Sequence, residues 1–151
     1  MLDLSLLVDT VSTVAGDARL WRQHVRFDAG SRYWHRLAQL PGADLWLLTW
    51  LPDQNTDLHD HGEAAAAFTV VSGTLEEVRV VDGVRVPRTL TRGQVSYVPP
   101  GAVHDVGNRS TGPAISIHAY APALTEMNFW DLQDGVLSRV DQVLTDQPEV
   151  A

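Results

Sequence analysis

The spacing of hydrophobic residues along this chain changes near residue 30. Upstream of that point, apolar residues recur every three to four positions, as they do on one face of a helix, at Leu2, Leu6, Leu7, Val11 and Val14. Gly16 interrupts the pattern, and Asp17 suits the N-cap of a second short helix that runs to Val25. We therefore predict that residues 1–30 form a short helical cover.

From Tyr33 onward the pattern is that of short β-strands separated by turn residues. The segment 45–50 is apolar at nearly every position, which is typical of a strand buried on both faces. Asp82-Gly83, between two strand-like segments, is a strong hairpin signal. About eight such segments predict an all-β fold for residues 31–122, either a barrel or a jelly-roll-like sandwich.

The end of the chain, residues 123–151, has a less regular pattern. Apolar residues recur there at mixed helical spacing, at Leu132, Val136, Leu137, Val140 and Val143. We expect a helix or an irregular cover in this region. The 151 residues suit a single domain with one core, and the sequence contains no internal repeat.

Composition excludes several classes of partner. The net charge is −8 and no cluster of Lys and Arg is present, so binding to nucleic acid or to an anionic membrane is not expected. No apolar run reaches the length of a transmembrane helix, and the first residues lack a basic signal-peptide region. The chain has no cysteine and therefore no disulfide and no thiolate ligand. These features together predict a cytoplasmic protein.

Two histidines separated by one residue are the first candidate ligands. His59 and His61 flank Asp60, and residues i and i+2 of a strand face the same side. The run of small residues at 64–67 leaves space beside the two rings. Two adjacent imidazoles are the beginning of a metal site, whereas the alternative is a polar loop with two solvated histidines.

A second motif with long, constrained spacing lies downstream. Its glycines and proline would form two sharp turns around a strand, its histidine would begin the next strand, and its asparagine would close the following turn. The positions are Gly93, Pro99, Gly101, His104 and Asn108. All five match the second motif of the cupin superfamily, which the chain therefore resembles. The resemblance implies a cupin-type β-barrel.

The first cupin motif is only partly matched. His59 and His61 fit it and Gly73 matches its later glycine, but Asp53 stands at the leading glycine. Ala66 stands where the motif has a glutamate ligand. The missing glutamate removes one anionic ligand and leaves a coordination position open.

A ligand set of three histidines without an acidic residue resembles that of the cysteine dioxygenase type I (thiol dioxygenase) family. The resemblance covers about residues 36–120 and includes Trp50, the segment Gly73-Thr74-Leu75-Glu76-Glu77 and the segment Ser116-Ile117-His118-Ala119-Tyr120. It implies that His59, His61 and His104 bind Fe(II), and that O2 oxidises L-cysteine to cysteine sulfinate. Some members cross-link a cysteine to the site tyrosine. That position is Ala66 here, so we expect Tyr120 to carry no such cross-link.

The family resemblance also assigns roles to other residues. Ser116, His118 and Tyr120 share one face of a strand, and a hydrogen-bonded relay through them would orient the phenol. The alternatives are a core histidine beside a buried tyrosine, or His118 as a fourth ligand. Arg36 would bind the substrate carboxylate, with Arg32 as its rival and a surface salt bridge as the plain alternative. Trp50 would form a wall of the substrate pocket, or simply pack in the core.

Several functions remain open at this stage. Three neutral imidazoles leave the charge of a divalent ion uncompensated, which favours an anionic substrate such as a thiolate. The thiol is L-cysteine, or else 3-mercaptopropionate or another small thiol acid. A zinc-dependent isomerase or hydrolase of the cupin class is a different enzyme hypothesis. A cupin domain that binds a metal without catalysis is the non-enzyme hypothesis.

Overall fold

The computed structural model describes residues 4–148, which form mainly β-structure. Helix α1 spans Leu4–Ala15. The strands that follow are β1 Tyr33–Leu40, β2 Ala43–Trp50, β3 His59–Asp60, β4 Ala65–Ser72, β5 Leu75–Val81, β6 Val84–Leu90, β7 Val95–Val98, β8 His104–Gly107, β9 Ala114–Ala121, β10 Glu126–Gln133 and β11 Val136–Leu144. The all-β class predicted from the sequence is confirmed.

The N-terminal segment covers one face of the barrel. Leu7 and Val11, four residues apart on α1, are both buried. The predicted second helix consists of two short 3-10 turns, the first of which is capped by Asp17, whose carboxylate accepts the N–H of Arg19 at 3.2 Å. Leu2 lies outside the described residues. Within residues 4–148, no helix is long and apolar enough to cross a membrane.

The strands form two antiparallel sheets. The first sheet has the order β1-β2-β9-β4-β7, and the second has the order β11-β10-β3-β8-β5-β6. In the second sheet β3 lies between β10 and β8, so that His59 pairs directly with His104 on one side and with Phe129 on the other. Residues far apart in the sequence therefore become neighbours at this short strand.

Apolar side chains fill two layers. The main core lies between the two sheets and includes Trp46, Leu48, Trp50 and Phe68. A second cluster lies between α1 and the outer face of the first sheet. Because β2 has one of these layers on each side, all eight of its residues are buried, which confirms the prediction of a strand buried on both faces.

The prediction of a helix or an irregular cover after residue 122 is wrong. Strands β10 and β11 form an antiparallel hairpin joined by Asp134-Gly135, where both residues have positive φ angles of 51° and 79°. The register shifts between Phe129 and Trp130, and most of β11 is exposed. A bulge and an apolar but exposed strand disturb the alternation from which a strand is recognised.

The turns of two hairpins in the second sheet touch each other. A Cβ atom placed on Gly83, in the β5–β6 turn, would clash with the carbonyl oxygen of Gly135 in the β10–β11 turn. The two outer hairpins of this sheet therefore contact each other at their turns.

Candidate metal centre

Three buried histidines converge inside the barrel. The Nε2 atoms of His59 and His61 are 3.1 Å apart, and the ring centroid of His104 lies 4.7 Å from that of His59 and 5.1 Å from that of His61. One ring nitrogen from each of the three lies within 4.8 Å of the other two. The histidines predicted from sequence as candidate ligands are thus brought together.

The nitrogen positions fit a shared cation. Two nitrogens about 2.1 Å from one divalent ion, at right angles to each other, lie about 3.0 Å apart, close to the spacing between His59 and His61. His104 Nε2 is buried and has no hydrogen-bond partner, as expected of a nitrogen that binds a metal ion. The donor set of three imidazoles suits iron and zinc alike.

The protonation states suit ligand binding. Burial lowers the pKa of His59 and of His61 well below the ordinary value, and the neighbouring histidines lower it further. His59 Nδ1 donates to the carbonyl oxygen of Asp57 at 2.9 Å, which leaves the lone pair on Nε2. The neutral rings of His59 and His61 can bind a cation without first losing a proton.

A buried carboxylate supports the third histidine. Oε2 of Glu77 on β5 lies 2.7 Å from Nδ1 of His104, and the hydroxyl of Ser96 donates to Oε1 at 2.6 Å. Burial alone would raise the pKa of Glu77, but the hydrogen bond from His104, the one from Ser96 and the charge of Arg79 lower it to about 2. Sequence reasoning included Glu77 in a family motif but gave it no function.

A small cavity adjoins the three histidines. Its volume is about 10 Å3, close to that of one water molecule, and its lining includes Arg32, Trp50, His118 and Tyr120 as well as Pro148 from the C-terminal segment. Among the described residues, no lining side chain is acidic and only Arg32 is permanently cationic. Trp50 and Tyr120, both candidate site residues, therefore line the cavity.

Arg36, by contrast, does not line the cavity. Its Nη2 lies 3.4 Å from Asp44 and 3.2 Å from Asp146, and its guanidinium stacks over Trp46 at 4.5 Å. Arg36 is thus held by two carboxylates, which corresponds to the plain salt-bridge alternative. The rival Arg32 stacks its guanidinium over Trp50 at 5.1 Å and does line the cavity. Of the two candidate arginines, Arg32 therefore lines the cavity and Arg36 does not.

The structure contains the first contact of the predicted relay, between Ser116 and His118. Ser116 Oγ lies 2.8 Å from His118 Nε2, and His118 stacks on Phe68 at 4.8 Å with a 7° angle between the rings. Burial, followed by the electrostatic influence of His104 and Arg32, lowers the pKa of His118 to about 3, so its ring is neutral. The ring of Tyr120 lies 6.4 Å from that of His118.

His118 and Tyr120 have different relations to the histidine cluster. His118 does not belong to the group of nitrogens within 4.8 Å of one another, which argues against its role as a fourth ligand. The ring centroid of Tyr120 lies 5.1 Å from that of His61. Ala66, opposite Tyr120 on the neighbouring strand, has no atom with which to cross-link the phenol.

The two-sheet barrel and its buried histidine cluster together define a cupin-type fold with a candidate metal site. The chain belongs to the family described as Cysteine dioxygenase type I, whose sequence model matches residues 2–133. It is 26% identical over 134 residues to Cysteine dioxygenase type 1 of Rattus norvegicus. That alignment covers 80% of this chain and 66% of the rat protein, so the chain spans slightly less than two thirds of that relative's length.

Two solved structures resemble the fold. A protein from Thermus thermophilus aligns with a TM-score of 0.61 and 22% identity, over 67% of this chain and 92% of its own. A protein with a double-stranded β-helix domain from Klebsiella pneumoniae aligns with a TM-score of 0.60 and 20% identity, over 80% of this chain and 93% of its own. These likenesses confirm the predicted cupin-type barrel.

Proposed function

We propose that this protein is an iron-dependent thiol dioxygenase that converts L-cysteine and O2 into cysteine sulfinate. The observation that carries the proposal is the cluster of His59, His61 and His104 at a cavity without an acidic lining residue among those described. Membership of the Cysteine dioxygenase type I family supports the same reaction class. A thiol and O2 combine to a sulfinic acid with all atoms retained, so the reaction needs no further reductant.

His59, His61 and His104 would hold Fe(II) through one ring nitrogen each. When bound, the ion supplies the redox chemistry and a template on which a thiol and O2 meet. The protein contributes three neutral ligands, so the charge of the cation is balanced by what binds to it. A thiolate satisfies this requirement better than a neutral substrate does.

Arg32 would bind the substrate carboxylate. It is the permanently cationic residue of the described cavity lining, and a guanidinium can donate two parallel hydrogen bonds to a carboxylate. Its stacking on Trp50 at 5.1 Å holds the side chain over the cavity. Trp50 would therefore act as a wall and as a support for Arg32.

Tyr120 would donate a hydrogen bond from its phenol to the bound substrate. Its ring lies beside His61, and both residues line the cavity. Ser116 holds the imidazole of His118 in the same cavity wall. His118 and Ser116 would keep the polar groups of this wall in fixed orientations, which favours a single substrate pose.

The cavity lining also favours a second candidate substrate, 3-mercaptopropionate. Among the described residues no carboxylate lines the cavity, so this part of the chain offers no anionic partner for the ammonium group of cysteine. A thiol acid without an amine needs only the metal and Arg32. L-Cysteine would depend on its amine nitrogen finding a place at the metal.

The test is reconstitution of the purified protein with Fe(II) in the absence of oxygen, followed by measurement of O2 uptake with each thiol. We expect uptake and sulfinate formation with at least one of the two thiols, and loss of both in His104→Ala. His35→Ala is the matched control, because His35 stacks on His24, away from the cluster. Full iron loading without uptake for either thiol would instead support a metal-binding domain without this activity.

A further inference from the structure

One of the three candidate ligands has a partner of a different kind from the other two. His104 Nδ1 faces the carboxylate of Glu77 at 2.7 Å, whereas His59 Nδ1 faces the carbonyl oxygen of Asp57. His61 Nδ1 is buried without a hydrogen-bond partner. The Nδ1 atom of His104 thus faces an anion and that of His59 faces a neutral carbonyl group. The Nδ1 atom of His61 has no hydrogen bond.

Glu77 is itself fixed from several sides. It is 3% exposed, its Oε1 accepts the hydroxyl of Ser96 at 2.6 Å, and its Oε2 accepts Nη2 of Arg79 at 3.0 Å. Arg79 is also the residue opposite His104 in the pairing of β5 with β8. A carboxylate held at both oxygens cannot turn away from the imidazole without losing buried hydrogen bonds.

We propose that Glu77 is a positioning residue that holds His104 with its hydrogen on Nδ1 and its lone pair on Nε2. The inference rests on the metal site proposed above. A carboxylate accepts only, so the hydrogen of the neutral ring lies on Nδ1, and the Nε2 atom that has no partner points its lone pair at the cluster.

The charge of Glu77 also makes His104 the strongest donor of the three histidines. A carboxylate behind an imidazole raises the basicity of the opposite nitrogen, which a carbonyl does less strongly. Ala66 stands where a metal-binding glutamate is found in the related motif. Glu77 therefore supplies a negative charge on the far side of the His104 ring. It does so without occupying a coordination position of the metal.

The first test compares the metal affinity of Glu77→Gln with that of the wild type. The affinity for Co(II) or Zn(II) alone is measured by competition with a chromophoric chelator, and the visible spectrum of the Co(II) form reports the ligand field. We expect about 10- to 100-fold weaker binding and a shifted spectrum. Glu76→Gln is the matched control, since it removes the same charge from the adjacent residue, on the opposite face of β5.

A double-mutant cycle separates positioning from general destabilisation. If Glu77 acts through His104, Glu77→Gln causes no further loss of metal affinity in the His104→Ala background. An equal loss in both backgrounds would overturn the proposal. So would an affinity of Glu77→Gln within twofold of the wild type.

A second measurement does not depend on the folding of any variant at position 77. In wild-type protein with 15N-labelled histidine and no metal, NMR correlations assign the ring tautomer of His104. We expect a protected hydrogen on Nδ1, and a hydrogen on Nε2 would contradict the inference. If the wild-type protein binds no divalent cation, both the metal site and the role of Glu77 are refuted. If it binds metal but takes up no O2, only the proposed dioxygenase activity is refuted.

Discussion

The indole Nε1 of Trp50 donates a hydrogen bond to Oγ of Ser116 at 2.9 Å in the interior of the barrel. Ser116 Oγ also lies 2.8 Å from His118 Nε2, so the three side chains form a continuous chain of hydrogen bonds. An indole nitrogen only donates, so Ser116 accepts from Trp50 and can use its own hydrogen toward His118. One hydroxyl thus orients both a wall of the cavity and a histidine of the predicted relay.

Replacement of Ser116 by alanine should destabilise the fold. The substitution leaves the N–H of Trp50 and Nε2 of His118 without a partner in a buried position, which costs about 1–3 kcal/mol. The free energy of unfolding, measured in urea, should fall by that amount. Ser138→Ala on the exposed strand β11 is the control and should change stability by less than about 0.5 kcal/mol. Equal effects at the two serines would contradict the role of Ser116.

Acid should destabilise the metal-free protein through His118. Its pKa is about 3 in the folded state and about 6.5 in the unfolded chain, so between these values only the unfolded chain takes up the proton. The stabilisation is complete above pH 6.5 and is lost as the pH falls toward 3. One such proton gives a slope of about 1.4 kcal/mol per pH unit.

The measurement for this pH effect is urea unfolding of the metal-free protein at pH 7, 6 and 5. His118→Gln should reduce the slope of unfolding free energy against pH. The buried histidines His59 and His61 contribute with the same sign and remain in the variant, so the slope should fall without vanishing. An unchanged slope in His118→Gln would mean that the pKa of His118 is the same in the folded and the unfolded protein.

The sequence predicted those features that local patterns determine. The apolar run at 45–50 predicted a strand with both faces buried, because neither face could tolerate water. In this strand the local signal and the tertiary environment agree. The convergence of His59, His61 and His104 was predicted instead from the resemblance to the two cupin motifs, since the pairing of β3 with β8 that places His59 beside His104 is not a local feature.

Other features depend on contacts that local patterns do not contain. The choice between Arg32 and Arg36 depends on the carboxylate of Asp146, which is 110 residues from Arg36. The contact between Glu77 and His104 depends on the pairing of β5 with β8. The tail hairpin alone had a usable local signal, the dipeptide Asp134-Gly135, which is the same kind of turn signal as Asp82-Gly83.

Substitution of Arg32 should weaken substrate binding without loss of metal. A charge-assisted hydrogen bond to a carboxylate contributes about 1.5–3 kcal/mol, so Arg32→Gln should raise KM by about 10- to 100-fold at unchanged iron content. Arg36→Gln is the control, since Arg36 is held by Asp44 and Asp146 and lies outside the cavity lining. A larger increase in KM for Arg36→Gln than for Arg32→Gln would return the assignment to Arg36.

The contact between the two hairpin turns should make one glycine far less replaceable than another of the same backbone conformation. Gly83 and Gly42 have similar φ angles of 75° and 80°, so alanine at either position loses about 1–2 kcal/mol through the left-handed backbone. An added Cβ meets nothing within 4 Å at Gly42, but at Gly83 it would clash with the carbonyl oxygen of Gly135. That clash is with backbone and cannot be relieved by rotation of a side chain, so the two hairpins must separate.

Overpacking of this kind costs about 1–3 kcal/mol, so Gly83→Ala should lower the free energy of unfolding by at least about 1 kcal/mol more than Gly42→Ala. Urea unfolding of the two variants, side by side, measures this difference. Because β5, which leads into this turn, pairs with the strand that carries His104, metal affinity should also fall in Gly83→Ala and stay unchanged in Gly42→Ala. Equal stabilities would show that the β5–β6 and β10–β11 turns do not touch in solution.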